Sequence, residues 1–246
     1  MLKTVILAAG KGTRMESELP KVVHEAMGEM MVTHVINAAV AAGSKDICLV
    51  VGHQAELVKK KVEDRFTELS LRFVEQTEQL GTGHAVKCAK DFIGDEGDVM
   101  VLCGDTPLIT AKTLKKLYDE HKKSGNGATV LTAVLPDATG YGRIIRDKDG
   151  FLEKIVEQKD ATPEEAAVKE INSGMYVFNS NALSRALLML NNDNAQGEYY
   201  LTDTLEIIKN EIGMKVGAVA SDDLDDIKGV NTKAQLKEAE DIMKAR

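Results

Sequence analysis

Residues Leu7 to Lys21 read LAAGKGTRMESELPK, which sets Lys11, Arg14 and Lys21 around Gly10 and Gly12 directly after an apolar run. Cations on a glycine-rich turn suit a polyphosphate. Glycine lets backbone N–H groups approach an anion, Arg grips phosphate oxygens in a fork, and Lys adds a movable point charge. Two phosphate-binding patterns do not fit. GxGxxG fails because Met15 stands where the third glycine belongs and the next strand-like run, CLVVG, ends without an acid. The Walker pattern fails because Lys11 is followed by Gly12 rather than Ser or Thr. On glycine spacing alone, a solvated loop with scattered charge is an equal alternative. Asp105 follows the apolar run VMVLCG, so its carboxylate either holds a divalent cation at a strand end or caps the turn before Pro107. No protein nucleophile stands out: GxSxG is absent, and His24, His34, His53, His84 and His121 lack HxxxH or HxH spacing.

The elements that must carry these residues alternate. Strand-length apolar runs occur at TVILAA, DICLVVG, LRFVEQ, VMVLCGD, ATVLTAVL, GRIIRD, KIVEQK, MYVFN and KVGAVA. Between many of them lie stretches with helical spacing: MVTHVINAAVAAG, QAELVKKKVEDRF, GHAVKCAKDF, TLKKLYDEHKKSG, SNALSRALLMLNN and LTDTLEIIKNEIG. The early β runs are continuously apolar, the mark of a parallel sheet covered on both faces. The pattern predicts an α/β fold: a Rossmann-like, mostly parallel sheet with helices on both faces. Between Gly140 and Phe178 closely spaced strands around the Asp149-Gly150 turn predict an inserted β-meander layered onto that body. In an open parallel sheet ligands collect at the carboxyl ends of the strands, where both the opening loop and Asp105 fall.

Composition excludes several classes of partner. The 246 residues are 43% hydrophobic, enough for a sizeable core, and carry a formal net charge of −8, which disfavours a broad nucleic-acid-binding face. Aromatic residues are only 4% of the chain, leaving few platforms for base stacking. Cys48, Cys88 and Cys103 are odd in number and without CxxC, which points to buried thiols in a reducing compartment. The run TVILAAG is too short for a signal or membrane segment, so a cytoplasmic protein without membrane contact is expected.

LAAGKGTRM with LPK resembles the signature of the sugar-nucleotide pyrophosphorylases. The stretches EQLGTGHA, GDTPL, TGYGRI, IVEQKDAT, EINSG, NAQGEYYLTD and GVN are similar to the uridylyltransferase half of the bifunctional N-acetylglucosamine-1-phosphate uridylyltransferase/glucosamine-1-phosphate acetyltransferase family. The resemblance covers essentially the whole chain. It implies the nucleotide-diphospho-sugar transferase fold, with residues 1–232 as the transferase domain, a sugar-binding meander at about 139–178, and a C-terminal helix at 233–246. No hexapeptide repeat is present, so the family's β-helix, its acetyltransferase activity and its trimer are not implied, and a monomer is the expectation.

The resemblance implies transfer of UMP from UTP to N-acetylglucosamine 1-phosphate with Mg²⁺ as cofactor, giving pyrophosphate and a precursor of cell-wall and envelope glycans. Leu7, Ala8, Ala9 and Gly10 then face the nucleotide, Gln76, Gly81 and Thr82 read its base, and Cys103, Gly104 and Asp105 complete that wall. Arg14 and Lys21 become the catalytic cations, with Lys11 in a weaker supporting part. Asp105 and Asn231 become the metal ligands. Gly142, Glu157, Asn172 and Asn231 take the sugar side, and Tyr200 and Thr202 close it. Plain alternatives stand beside these: Gln76 as a surface residue, Glu157 as a solvated charge, Gly142 as a strand bulge. Cys103 departs from the family, where Tyr is frequent. A pyrophosphorylase using dTTP, CTP or another sugar 1-phosphate, or a non-catalytic nucleotide-sugar binder, are the competing functions.

Overall fold

The computed structural model describes residues 1–246, and its first strand already shows why the apolar runs lack polar gaps. Strand β1 (Leu2–Ala8) sends Ile6 and Ala8 into one core and Val5 into another, so both faces of the strand need apolar side chains. A short hairpin of β2 (Glu25–Ala26) and β3 (Glu29–Met30) precedes α1 (Met31–Ala41) and β4 (Asp46–Val51). Helix α2 (Ala55–Arg65) leads to β5 (Leu71–Glu75), and the short α3 (Thr82–Cys88) and α4 (Lys90–Ile93) lead to β6 (Asp98–Cys103). Next come α5 (Ala111–Ser124), β7 (Ala128–Val134) and the hairpin of β8 (Arg143–Arg146) and β9 (Leu152–Val156). A single turn, α6 (Pro163–Ala166), precedes the ten-residue β10 (Glu170–Asn179). The remaining elements are α7 (Ser180–Met189), α8 (Asp203–Asn210), β11 (Val216–Ala220) and α9 (Lys233–Ala245).

The sheet runs β11-β7-β10-β6-β1-β4-β5. Strands β6, β1, β4 and β5 are mutually parallel and β11 is parallel to β7, which makes this the mostly parallel α/β fold the sequence predicts. Only β10 runs against both of its central neighbours. Its direction follows from its connection: the chain leaves the carboxyl end of β7 and re-enters the sheet from that same end, so no crossover is made and antiparallel pairing results. Helices α1, α2 and α5 cover one face, bringing Ile36, Val58 and Leu114 onto Ile6, Leu49 and Leu102. On the other face α3, α4, α7 and α8 bring Val86, Ile93, Leu187 and Ile208 onto Val5, Val50 and Val101. Each such side chain contributes about 1.5–3 kcal/mol of burial.

Three details differ from the sequence expectation. GHAVKCAKDF forms two short helices interrupted at Ala89 rather than one. The meander is not a separate layer: β8 pairs with β10 through Ile171 and Arg143, which joins the β8–β9 hairpin to the central sheet. The run MYVFN is only the second half of a longer strand that begins in EINSG and whose register with β7 shifts between Asn172 and Tyr176, a bulge. No helix is long and apolar enough to cross a membrane.

Candidate active site

The opening loop is anchored from below and presents its cations above. Met15 is fully buried against Met31, Leu108 and Val230, and Val22 and Val23 sit in the main core. Between these anchors two 3-10 turns, Thr13–Met15 and Lys21–Val23, leave Arg14 exposed and Lys21 half-buried. Gly12 immediately precedes the first turn and packs against the start of the second. Its φ of 63° is left-handed, and a Cβ there would lie 2.5 Å from Cβ of Lys21, so only glycine lets the lysine stem pack against the loop.

Four side chains from three distant segments meet at the strand ends. Lys21 forms an ion pair with Asp105, at the end of β6, and its Nζ also donates to Asn231 Oδ1 at 2.9 Å. Arg14 Nη2 donates to the same Asn231 oxygen at 2.8 Å. The backbones beneath are tied as well, since the Val230 N–H donates to the Asp105 carbonyl at 2.8 Å and the Gly104 N–H donates to Leu7 O at 2.9 Å. The Asn231 N–H donates to Gln235 Oε1 at 2.8 Å, within the capping box that Thr232 and Gln235 form on α9. Two oxygens that converge on one ammonium are spaced to share a single cation. Asp105 and Asn231 therefore fit a hard, oxygen-seeking metal that keeps most of its shell as water and phosphate oxygen. No cluster of three or more His, Cys, Asp or Glu side chains offers an all-protein cage.

Beside this cluster lies a cavity of about 380 Å³ lined by Leu7, Ala8, Ala9, Gly10, Lys21, Gln76, Gly81, Thr82, Cys103 and Asp105. Gln76 is 5% exposed, which excludes the surface alternative; its Nε2 donates to Gly81 O at 3.1 Å and lies 3.1 Å from His84 Nδ1. Gly81 has φ of 108°, and a Cβ would stand 2.6 Å from Tyr199 O, so the turn closes tightly on the segment before α8. Two polar lining residues escaped the sequence reading, Gln79 and Glu198, along with the apolar Val22 and Ala85. Gln79 Nε2 donates to Ala9 O at 2.8 Å across the pocket mouth; its place in EQLGTGHA was the available signal.

A second cavity of about 220 Å³ adjoins the first, sharing Leu7, Thr82 and Cys103, and adds Gly142, Glu157, Asn172 and Thr202. Thr202 Oγ1 donates to Glu157 Oε1 at 3.2 Å. Burial pushes the Glu157 carboxyl above the usual range, and the Thr202 hydroxyl only partly opposes this. The Gly142 carbonyl accepts from the Asn172 N–H at 2.9 Å, and Asn172 Oδ1 accepts from the Gly174 N–H at 2.8 Å, so the bulge in β10 fixes this wall. Tyr176, also on this wall, was not foreseen because it reads as an ordinary core residue. Tyr200 departs from expectation: it lines neither cavity, and its hydroxyl donates to Asp160 Oδ2 and accepts from Gln196, bracing the loop from behind. Lys11 is exposed and also lines neither.

Cys103 forms the partition between the cavities. Its thiol faces Gly174 O at 3.4 Å, and burial pushes it up to about 12, so it stays a neutral, small wall residue. Beside Glu157, Asp203 at the start of α8 is pushed up to about 6 by burial, with Glu157, Glu206 and Asp160 adding like charge. A larger groove of about 900 Å³, between the end of α5 and β11, holds none of the candidate site residues.

The sequence pattern of the nucleotidyl transferase family matches residues 3–227. A bifunctional protein GlmU of Clostridioides difficile is 52% identical over 244 residues, which are 99% of this chain and 52% of that protein. One of Clostridium novyi is 53% identical over 243 residues, 98% of this chain and 52% of that protein. The chain thus spans about half the length of the curated relatives it matches. A Bacillus anthracis structure described as a glucose-1-phosphate thymidylyltransferase in complex with sucrose superposes with a TM-score of 0.78. The superposition covers 98% of this chain and 95% of that one at 20% identity, a likeness of fold.

Proposed function

The chain belongs to the nucleotidyl transferase family, and we propose that it transfers UMP from UTP to N-acetylglucosamine 1-phosphate. One observation carries this reading: Lys21 and Asp105, with Arg14 and Asn231 hydrogen-bonded beside them though lining neither cavity, border a nucleotide-sized cavity that adjoins a sugar-sized one through Leu7, Thr82 and Cys103. The half-length identity to bifunctional GlmU proteins supports the choice of nucleotide and sugar. In this reading residues 1–232 form the transferase domain and the segment at about 139–178 supplies its sugar side.

A phosphate oxygen of the sugar 1-phosphate is already anionic, so no general base is required. It attacks the α-phosphorus of UTP; the bond to the bridging oxygen of the β-phosphate breaks, and pyrophosphate leaves with that electron pair. What the protein must supply is alignment of two anions and neutralisation of their charge. Lys21 bridges the α-phosphate and the sugar phosphate, and Arg14 holds the outgoing phosphates with its fork. Gln76, its Nε2 fixed by Gly81 and His84, turns Oε1 toward the uracil N–H. Glu157 and Asn172 grip the sugar, and the absent side chain of Gly142 leaves room beside them. Mg²⁺ held by Asp105 and Asn231 supplies further neutralisation of the phosphates. The three unpaired cysteines and the nucleotide substrate support a cytoplasmic setting.

Pyrophosphate release, measured for UTP, dTTP and CTP with N-acetylglucosamine 1-phosphate or glucose 1-phosphate, tests the assignment. Turnover should be highest with UTP and the N-acetylated sugar, and be lost in Asp105→Ala and Asn231→Ala. Equal turnover of glucose 1-phosphate would remove the N-acetyl assignment; binding without turnover would leave a nucleotide-sugar binder.

A further inference from the structure

We infer that the Lys21 ammonium and the divalent cation exclude one another at Asp105 and Asn231, so that metal entry drives Lys21 off these oxygens and onto the phosphates. The inference rests on the metal reading above and adds to it a competition built into the loop.

Lys21 Nζ lies on the carboxylate of Asp105 and 2.9 Å from Asn231 Oδ1. A Mg²⁺ ion bound to the same two oxygens at about 2.1 Å would fall on nearly the same point. A monovalent and a divalent cation cannot share it, because their repulsion at such a separation outweighs any one contact. The partner that yields is the lysine. Asp105 and Asn231 sit on backbones joined through the hydrogen bond from the Val230 N–H to the Asp105 carbonyl, and Gln235 holds Asn231 from the other side. The lysine stem is pinned where Gly12 packs against it, and the side chain beyond, held only through Asp105 and Asn231, borders the nucleotide cavity. A displaced ammonium therefore moves toward phosphate rather than into bulk solvent. The arrangement couples metal loading to the release of the cation that the transfer step needs, and keeps Asp105 neutralised by one cation or the other.

The 246-residue chain, with no nucleotide added, is titrated with Mn²⁺ and free Mn²⁺ is read by electron paramagnetic resonance. Lys21→Gln should tighten Mn²⁺ binding about tenfold, the order expected when one competing unit charge leaves a partly solvated pair. Arg14→Gln removes equal charge but touches only Asn231, and should tighten it by about threefold at most. Unchanged affinity in Lys21→Gln, or equal tightening in both variants, overturns the exclusion. Asp105→Asn should abolish binding; if it does not, the metal reading itself falls and the inference with it. An independent measurement needs no variant. In the wild-type chain carrying lysine labelled with ¹³C at Cε, the Lys21 resonance should move on adding Mg²⁺, whereas an unmoved resonance at saturating Mg²⁺ overturns the proposal.

Discussion

Replacing Gly12 with alanine should perturb catalysis by displacing the Lys21 stem while leaving every polar group of the site present. The new Cβ would stand 2.5 Å from Cβ and 3.3 Å from Cα of Lys21. Ordinary carbon contacts begin near about 3.5 Å, so the lysine stem must recede by about 1 Å. The left-handed φ of 63° adds about 1–2 kcal/mol for any residue with a Cβ, and overpacking adds about 1–3 kcal/mol more. A displacement of about 1 Å in a group that aligns reactants costs on the order of 10²-fold in rate. Steady-state pyrophosphate release, run well below the melting temperature of the variant, should show kcat reduced by that order, with the KM for UTP changed far less. Gly10→Ala is the comparison, because a Cβ there meets no protein atom within 4 Å and needs no left-handed φ. It should melt like the wild type, and any effect should appear in the KM for UTP. A Gly12→Ala enzyme with kcat within about twofold of wild type would refute the placement of Lys21 as the aligning cation.

Asp203→Asn should stabilise the fold near neutral pH. The folded-state carboxyl titrates at about 6 against 3.8 for a free one, so the native chain holds this proton more tightly than the unfolded chain. Its penalty is absent below about pH 4, grows as pH rises from about 4 to 6, and is complete above. The variant should gain about 1–2 kcal/mol at pH 7.5, discounted for the partial exposure of the group, and its advantage in urea midpoint should shrink as pH falls toward 4. Arg246→Ala should destabilise by about 3 kcal/mol, because Asp226, 1% exposed, would keep only the hydroxyls of Thr110 and Thr113 as partners. Differential scanning calorimetry should record a melting temperature lower by about 6–12 °C, and an unchanged value would refute the cost assigned to leaving Asp226 without its cation.

The two-sided sheet was legible because β1, β4 and β6 must bury side chains on both faces, which leaves an unbroken apolar run in the sequence. The direction of β10 was not, because period and composition are the same in a parallel and an antiparallel strand, and only the end at which the chain re-enters decides it. The opening loop suggested a polyphosphate site through Gly10, Gly12, Arg14 and Lys21, but a solvated loop fitted its spacing equally well, and the family resemblance tipped the reading. Its partner Asn231 lies 210 positions away from Lys21, a distance over which spacing carries no signal, and the family resemblance alone supplied it. Tyr200 looked like a pocket residue from its neighbours, yet its hydroxyl is taken by Asp160 and Gln196. The raised carboxyls of Glu157 and Asp203 arise from burial, which one-dimensional pattern does not encode.

Crystals grown with UDP-N-acetylglucosamine and Mg²⁺ test the central claim most directly. The account predicts the metal between Asp105 and Asn231, the diphosphate within hydrogen-bonding reach of Lys21, uracil at Gln76, and the sugar against Glu157 and Asn172. A diphosphate bound away from Lys21 and Asp105, or a metal coordinated elsewhere, would contradict it.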